Sequence, residues 1–88
     1  MLNKIPLKGN IRIKKEDRGY VVFNLDTSGF HLLTEDGVNI LNNCDGKKNN
    51  RDILSIVYKD FQLGDKLIEK EFNKFLKDLI SRKIIQWK

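Results

Sequence analysis

Two side chains have the chemistry of a nucleophile and its base: Cys44 and His31, the one cysteine and the one histidine of the chain. A thiol beside an imidazole could ionise and attack an electrophilic centre. The surroundings of Cys44 argue for a packing role instead. It closes an apolar helical run, where a lone cysteine behaves as a small buried hydrophobe. One histidine and one cysteine cannot complete a tetrahedral zinc site. A single cysteine also forbids an internal disulfide, in keeping with a reducing compartment. The glycines at 9, 19, 29, 37, 46 and 64 fall at turns and helix ends, with no G-x-G-x-x-G and no phosphate loop. The carboxylates read as solvated or capping groups. Catalysis is therefore not expected, nor a metal, nor a cofactor.

The elements that would position any site follow from periodicity. Residues 1–10, with Pro6 and Gly9, read as an irregular lead-in. Ile11-Arg12-Ile13-Lys14-Lys15 alternates apolar and basic, the period-2 mark of a half-exposed strand. Glu16-Asp17-Arg18-Gly19 makes a turn. Tyr20–Leu25 is the strongest strand, aromatic and β-branched. Asp26-Thr27-Ser28-Gly29 turns the chain again, and Phe30-His31-Leu32-Leu33 runs back as a third strand. Thr34 is placed to cap a helix with Glu35 and Asp36 in its first turn. Val38, Ile40 and Leu41 carry that helix to about Cys44, and Gly46 stops it. Asn49 or Asn50 caps a second helix with Ile53, Leu54, Ile56, Val57, Tyr58 and Phe61 on its apolar face. Gly64 ends it, and Asp65 opens a third over 65–82, striped by Leu67, Ile68, Phe72, Phe75, Leu76, Leu79 and Ile80. Residues 83–88 form a tail, read as a strand packed back on the body. The predicted fold is α+β and winged-helix-like: a three-stranded antiparallel β-meander followed by three α-helices, in one domain over residues 1–88.

Composition narrows the function. Eighty-eight residues, 40% hydrophobic and 33% charged, suit one small soluble domain with a modest core. No stretch approaches the roughly 18 apolar residues of a membrane span, and the N-terminus has no signal-peptide run, so a cytoplasmic protein is expected. The net charge of +5 could suit nucleic acid or acidic peptides. Its location decides between them. Lys4, Lys8, Arg12, Lys14, Lys15 and Arg18 face only Glu16 and Asp17 in the first 19 residues. The third helix mixes Lys66, Lys70, Lys74, Lys77 and Arg82 with Asp65, Glu69, Glu71 and Asp78. A helix entering a DNA groove must neutralise phosphates, and these acids oppose it. A small winged-helix DNA-binding regulator is the alternative, and a structural subunit dimerising through an open sheet edge is a second.

Peptide capture fits better. Open sheet edges are normally blunted by charge. Arg12, Lys14 and Lys15 blunt the first strand, whereas Phe30-His31-Leu32-Leu33 carries no formal charge with His31 neutral. A peptide adding to that edge, beside the third helix, would find affinity in backbone hydrogen bonds and specificity in apolar pockets. Phe30, Leu32, Phe72, Phe75, Leu76 and Leu79 are the candidate lining, although Phe72, Leu76 and Leu79 equally suit the core. Glu71, Lys74, Phe75, Asp78 and Arg82 share one flank, which places Phe75 at a groove margin.

The run Leu33-Thr34-Glu35-Asp36-Gly37-Val38-Asn39-Ile40-Leu41-Asn42-Asn43-Cys44-Asp45-Gly46 resembles a family motif. Arg51-Asp52-Ile53, Phe75-Leu76-Lys77-Asp78-Leu79 and Lys83-Ile84-Ile85 extend the likeness over about residues 11–86. It is the PqqD-like family, also called RiPP recognition elements. Thr34 stands where the family commonly has Asn, and Lys83 where it often has Gly. The resemblance implies a winged-helix-like adaptor that binds no DNA. Such a domain holds the leader of a ribosomally made precursor peptide as an extra strand between its third strand and third helix. It delivers that leader to a modifying enzyme such as a radical SAM maturase, a cyclodehydratase or a leader peptidase. Carried onto this chain, the groove would be Phe30, His31, Leu32 and Leu33 with Glu71, Lys74, Phe75, Asp78 and Arg82. The basic balance would favour a leader with Asp or Glu.

Overall fold

A computed structural model of the chain describes residues 4–58 and 66–88. Strands β2 (Ile11–Glu16), β3 (Gly19–Asn24) and β4 (Phe30–Leu33) form an antiparallel sheet in the order β2-β3-β4. Helices α1 (Glu35–Asn42), α2 (Asn50–Val57) and α3 (Lys66–Ser81) follow. This is the expected α+β order of three strands then three helices. Residues 1–10 need a correction. Pro6–Lys8 is a strand, β1, pairing antiparallel with β5 (Ile85–Trp87) in a separate two-stranded sheet. The third strand of the meander is therefore β4. Three residues are too few to show a period, and Pro is tolerated at the start of an edge strand. The tail, expected to fold back as a strand, does so as β5.

The helix starts follow their capping residues. Thr34 Oγ1 accepts from the Gly37 N–H at 3.2 Å, and Asn49 Oδ1 accepts from the Asp52 N–H at 2.9 Å, so Asn49 rather than Asn50 is the cap. Helix α1 ends at Asn42, short of Cys44. Gly46 does not terminate it. Gly46 lies beyond, in the left-handed region at φ +78°, and donates to the Pro6 carbonyl at 3.1 Å. A Cβ there would come within 3.0 Å of Leu7, so the glycine admits β1 against the α1–α2 connection. Helix α2 ends at Val57; Phe61, Gly64 and Asp65 lie outside the described residues.

Register divides the sheet into two faces. Ile13 opposes Val22, which opposes His31, and Tyr20 opposes Leu33. Opposed residues share a face, so Ile11, Ile13, Val22, Asn24, His31 and Leu33 point one way. That face covers a core of Val22, Ile40, Leu41, Cys44, Ile53, Leu54, Phe72, Leu76, Leu79, Ile84 and Ile85. Each large apolar side chain buried there contributes about 1.5–3 kcal/mol. Phe72, Leu76 and Leu79 hold the expected helical spacing. Leu67 does not join them, being 70% exposed. It shares a row with Glu71 and Lys74, both exposed, well round the helix from Phe72.

Asn24 joins the sheet to the end of α3. Buried at the end of β3, its Nδ2 donates to the carbonyls of Arg82 at 3.0 Å and Lys83 at 3.2 Å. Its Oδ1 accepts from the N–H groups of Asp26 and Thr27. All of its hydrogen-bonding capacity is thus used, as burial requires. Helix α3 closes in a Schellman turn: Ile84 N–H donates to the Leu79 carbonyl at 2.9 Å and Lys83 N–H to that of Ile80 at 3.0 Å. Lys83 takes the left-handed position at φ +59° where glycine is usual.

Two expectations follow. A non-glycine residue in that region costs roughly 1–2 kcal/mol, so Lys83→Gly should raise unfolding stability by about 1 kcal/mol, read as a higher urea midpoint at unchanged slope. Burial pushes the Cys44 thiol from 9.0 up to about 12. The unfolded chain therefore ionises first, and this group withdraws stability as pH rises from 9 towards 12. At pH 8 iodoacetamide should label Cys44 far more slowly in native protein than in urea; equal rates would place the thiol at the surface.

Candidate functional site

β4 has a strand partner on one side only. β3 pairs with it from Tyr20↔Leu33 to Phe23↔Phe30, and no described strand pairs with the other side. Along that open edge runs a groove of about 330 Å³ lined by Phe30, His31, Leu32, Leu33, Asp78, Leu79, Arg82 and Ile84. A shallower hollow sits on α3, lined by Glu71, Lys74, Phe75, Lys77, Asp78 and Ser81. Asp78 belongs to both. Of the residues expected at the site, the groove gathers Phe30, His31, Leu32, Leu33, Leu79 and Arg82, and the hollow gathers Glu71, Lys74 and Phe75.

Strand alternation separates the four β4 residues. His31 and Leu33 are on the core face, with Leu33 packed against the core. Phe30 and Leu32 are on the outer face, 63% and 76% exposed. Phe30 and Leu32, expected to line pockets between strand and helix, are among the lining residues of the groove, and parity directs their side chains to the outer face. They border the groove at the strand edge while their side chains join a separate outer patch. Phe23, 39% exposed, lies in that patch with its ring centroid 6.5 Å from that of Phe30.

Polar contacts cross the groove from α3. Arg82 Nε is held by the Asp78 carboxylate at 3.1 and 3.0 Å, one helical turn earlier. Arg82 Nη1 lies 2.8 Å from His31 Nδ1. A guanidinium can only donate, so in this contact Nδ1 is the acceptor and Nε2 is left as the ring's donor. The groove therefore presents two donors without a partner among the described residues, Arg82 Nη2 and His31 Nε2. Helix α3 supplies the anchor Asp78, Arg82 follows directly after its last residue, and Asn24 fixes the turn that carries Arg82.

Below this layer, Leu79 and Ile84 are fully buried and form the apolar floor. Phe72 and Leu76 lie deeper, in the core. Phe75 is partly buried, with its ring against α1. A Cβ on Gly37 would sit 3.1 Å from its Cζ, so the glycine of the motif makes room for the ring. Phe75 thereby reaches both the core and the hollow. Glu71 and Lys74 are exposed along the flank. Ile84 carries no signal in the sequence for this site, because only the Lys83 turn brings it under β4. The outer patch had a legible signal, the alternation Val21-x-Phe23 beside Phe30-x-Leu32.

Cys44 and His31 do not form a catalytic pair. The Cys44 Sγ donates to the Ile40 carbonyl at 3.3 Å within the core, whereas the His31 ring meets Arg82. No helix among the described residues is long and apolar enough to cross a membrane.

No curated protein and no solved structure matches the chain. The model of the family described as Coenzyme PQQ synthesis protein D (PqqD) matches residues 19–85, from the first residue of β3 to the first of β5. The chain therefore belongs to the PqqD family of RiPP recognition elements, accessory and non-catalytic peptide-binding domains of PQQ and RiPP biosynthesis.

Proposed function

We propose that this domain captures the leader segment of a ribosomally synthesised precursor peptide as a fourth strand on β4, and presents it to a modifying enzyme. The observation that carries the reading is the open edge of β4, faced by the groove beneath α3. An added strand gains main-chain hydrogen bonds there, and its inward side chains meet Leu79, Ile84 and the donors of Arg82 and His31. The enzyme, a radical SAM maturase, a cyclodehydratase or a leader peptidase, would then meet its substrate at raised effective concentration. The acids on α3 speak against the DNA-binding alternative, because Glu71 and Asp78 stand on its exposed flank.

The test uses isotopically labelled protein and a synthetic leader from the precursor gene neighbouring this one. Amide shifts should concentrate at residues 30–33 and 71–84. Shifts at 12–18 and 66–74 on adding duplex DNA at low salt, with none from the leader, would replace the adaptor by the regulator. Phe75→Asp should weaken leader binding by at least about tenfold, since charge is costly on an apolar margin, with a retained far-UV spectrum; unfolding would instead assign Phe75 to the core. Neutralising Lys14 and Lys15 together should change leader affinity by less than about twofold, as rim charges on the far edge contribute little.

A further inference from the structure

The two faces of β4 constrain the chemistry of its added strand, given the strand-addition reading above. On the outer face two rows run across the sheet. Arg12 opposes Phe23, which opposes Phe30, and Lys14 opposes Val21, which opposes Leu32. Each row begins with a basic residue and ends on an apolar one at the open edge. Phe30 and Leu32 are the most exposed of the outer-face apolar residues. The next place in each row belongs to the incoming strand. Cross-strand neighbours on one face have Cβ atoms about 4.5–5.5 Å apart, close enough for apolar side chains to cover each other.

The residue between those two places points to the other face, opposite His31. It meets Arg82, whose Nε and Nη1 are committed to Asp78 and His31 while Nη2 lacks a partner among the described residues. His31 Nε2 is likewise a donor. His31 and Arg82 both line the groove at this place, and their donors call for an acceptor there; a carboxylate bonds to a guanidinium more strongly than a neutral amide does.

We infer that the strand recognised at this edge carries an apolar–acidic–apolar triplet. The acidic residue, Asp or Glu, faces Arg82 and His31, and the two apolar residues cover Phe30 and Leu32 on the outer face. Specificity is then shared between the groove and the opposite side of the sheet. The outer patch is completed by the ligand itself, since loading extends each row by one apolar residue.

A displayed library of random dodecapeptides, selected on the full chain, tests this without knowledge of the natural precursor. Selected peptides should be enriched in the triplet over the starting library. Against Arg82→Gln the central acid should lose its advantage, with a triplet peptide weakened about fivefold and its Asn counterpart less than twofold. Leu32→Thr, which keeps a strand-forming residue, should relax one apolar position and weaken the triplet peptide about threefold. Peptides that shift the amides of 30–33 yet lack the triplet would overturn the inference and leave strand addition standing. If no selected peptide perturbs 30–33, both fall.

Discussion

Asn24 is the polar joint from which the rest of the trough takes its shape. Its amide is buried between the last turn of α3 and the loop leaving β3, bonded at both ends. Without it the carbonyls of Arg82 and Lys83 would lose their protein donors, and the helix end would be free to lift from the sheet. Because it is held, Arg82 is set where its guanidinium reaches His31, and Ile84 is turned beneath β4. The Schellman turn adds the direction. With Lys83 in the left-handed region, the chain reverses at once into β5 and against β1. One side-chain amide and one unusual backbone angle thus define both the width and the floor of the groove.

The sheet serves two surfaces with one set of alternating residues. Val22, His31 and Leu33 are committed to the core face, and Val21, Phe23, Phe30 and Leu32 are left outside. A small domain has little apolar area to spare, so large side chains left in water invite a functional explanation. The partition also shows why β4 tolerates so little polar character. It is short, as protected edges usually are, yet its outer side chains are large, apolar and exposed.

Much of this was legible in the sequence. Thr34 with Glu35 and Asp36, and Asn49 before Asp52, mark helix starts through hydrogen-bonding chemistry that is local. The strands read at 11–15, 20–25 and 30–33 declare themselves by alternation, by β-branched and aromatic content and by the turn residues between them; in the structure the first two run 11–16 and 19–24, a residue further into the turn that joins them. The flank Glu71, Phe75, Asp78, Arg82 follows from helical geometry alone. What escaped depends on contacts distant in the chain. β1 is visible only through β5, some 80 residues later, and Gly46 acts on Leu7 rather than on the helix before it. The parity of β4 escaped as well. Phe30 and Leu32 look like the inward pair by bulk, but register with Val22 and Tyr20 turns the less apolar pair, His31 and Leu33, towards the core.

The clasp between β1 and β5 brings the two ends of the described chain together. Lys88 N–H donates to the Ile5 carbonyl at 2.8 Å, beside the Pro6↔Trp87 pair, and Lys4 lies over the Trp87 ring at 5.2 Å. The fold therefore has one port through which polypeptide both enters and leaves. A sequence attached before residue 4, one attached after residue 88, or a host chain interrupted to accept the domain in a loop would all meet it at the same pole. Such an architecture tolerates attachment or insertion at that one pole without disturbing the groove beside β4.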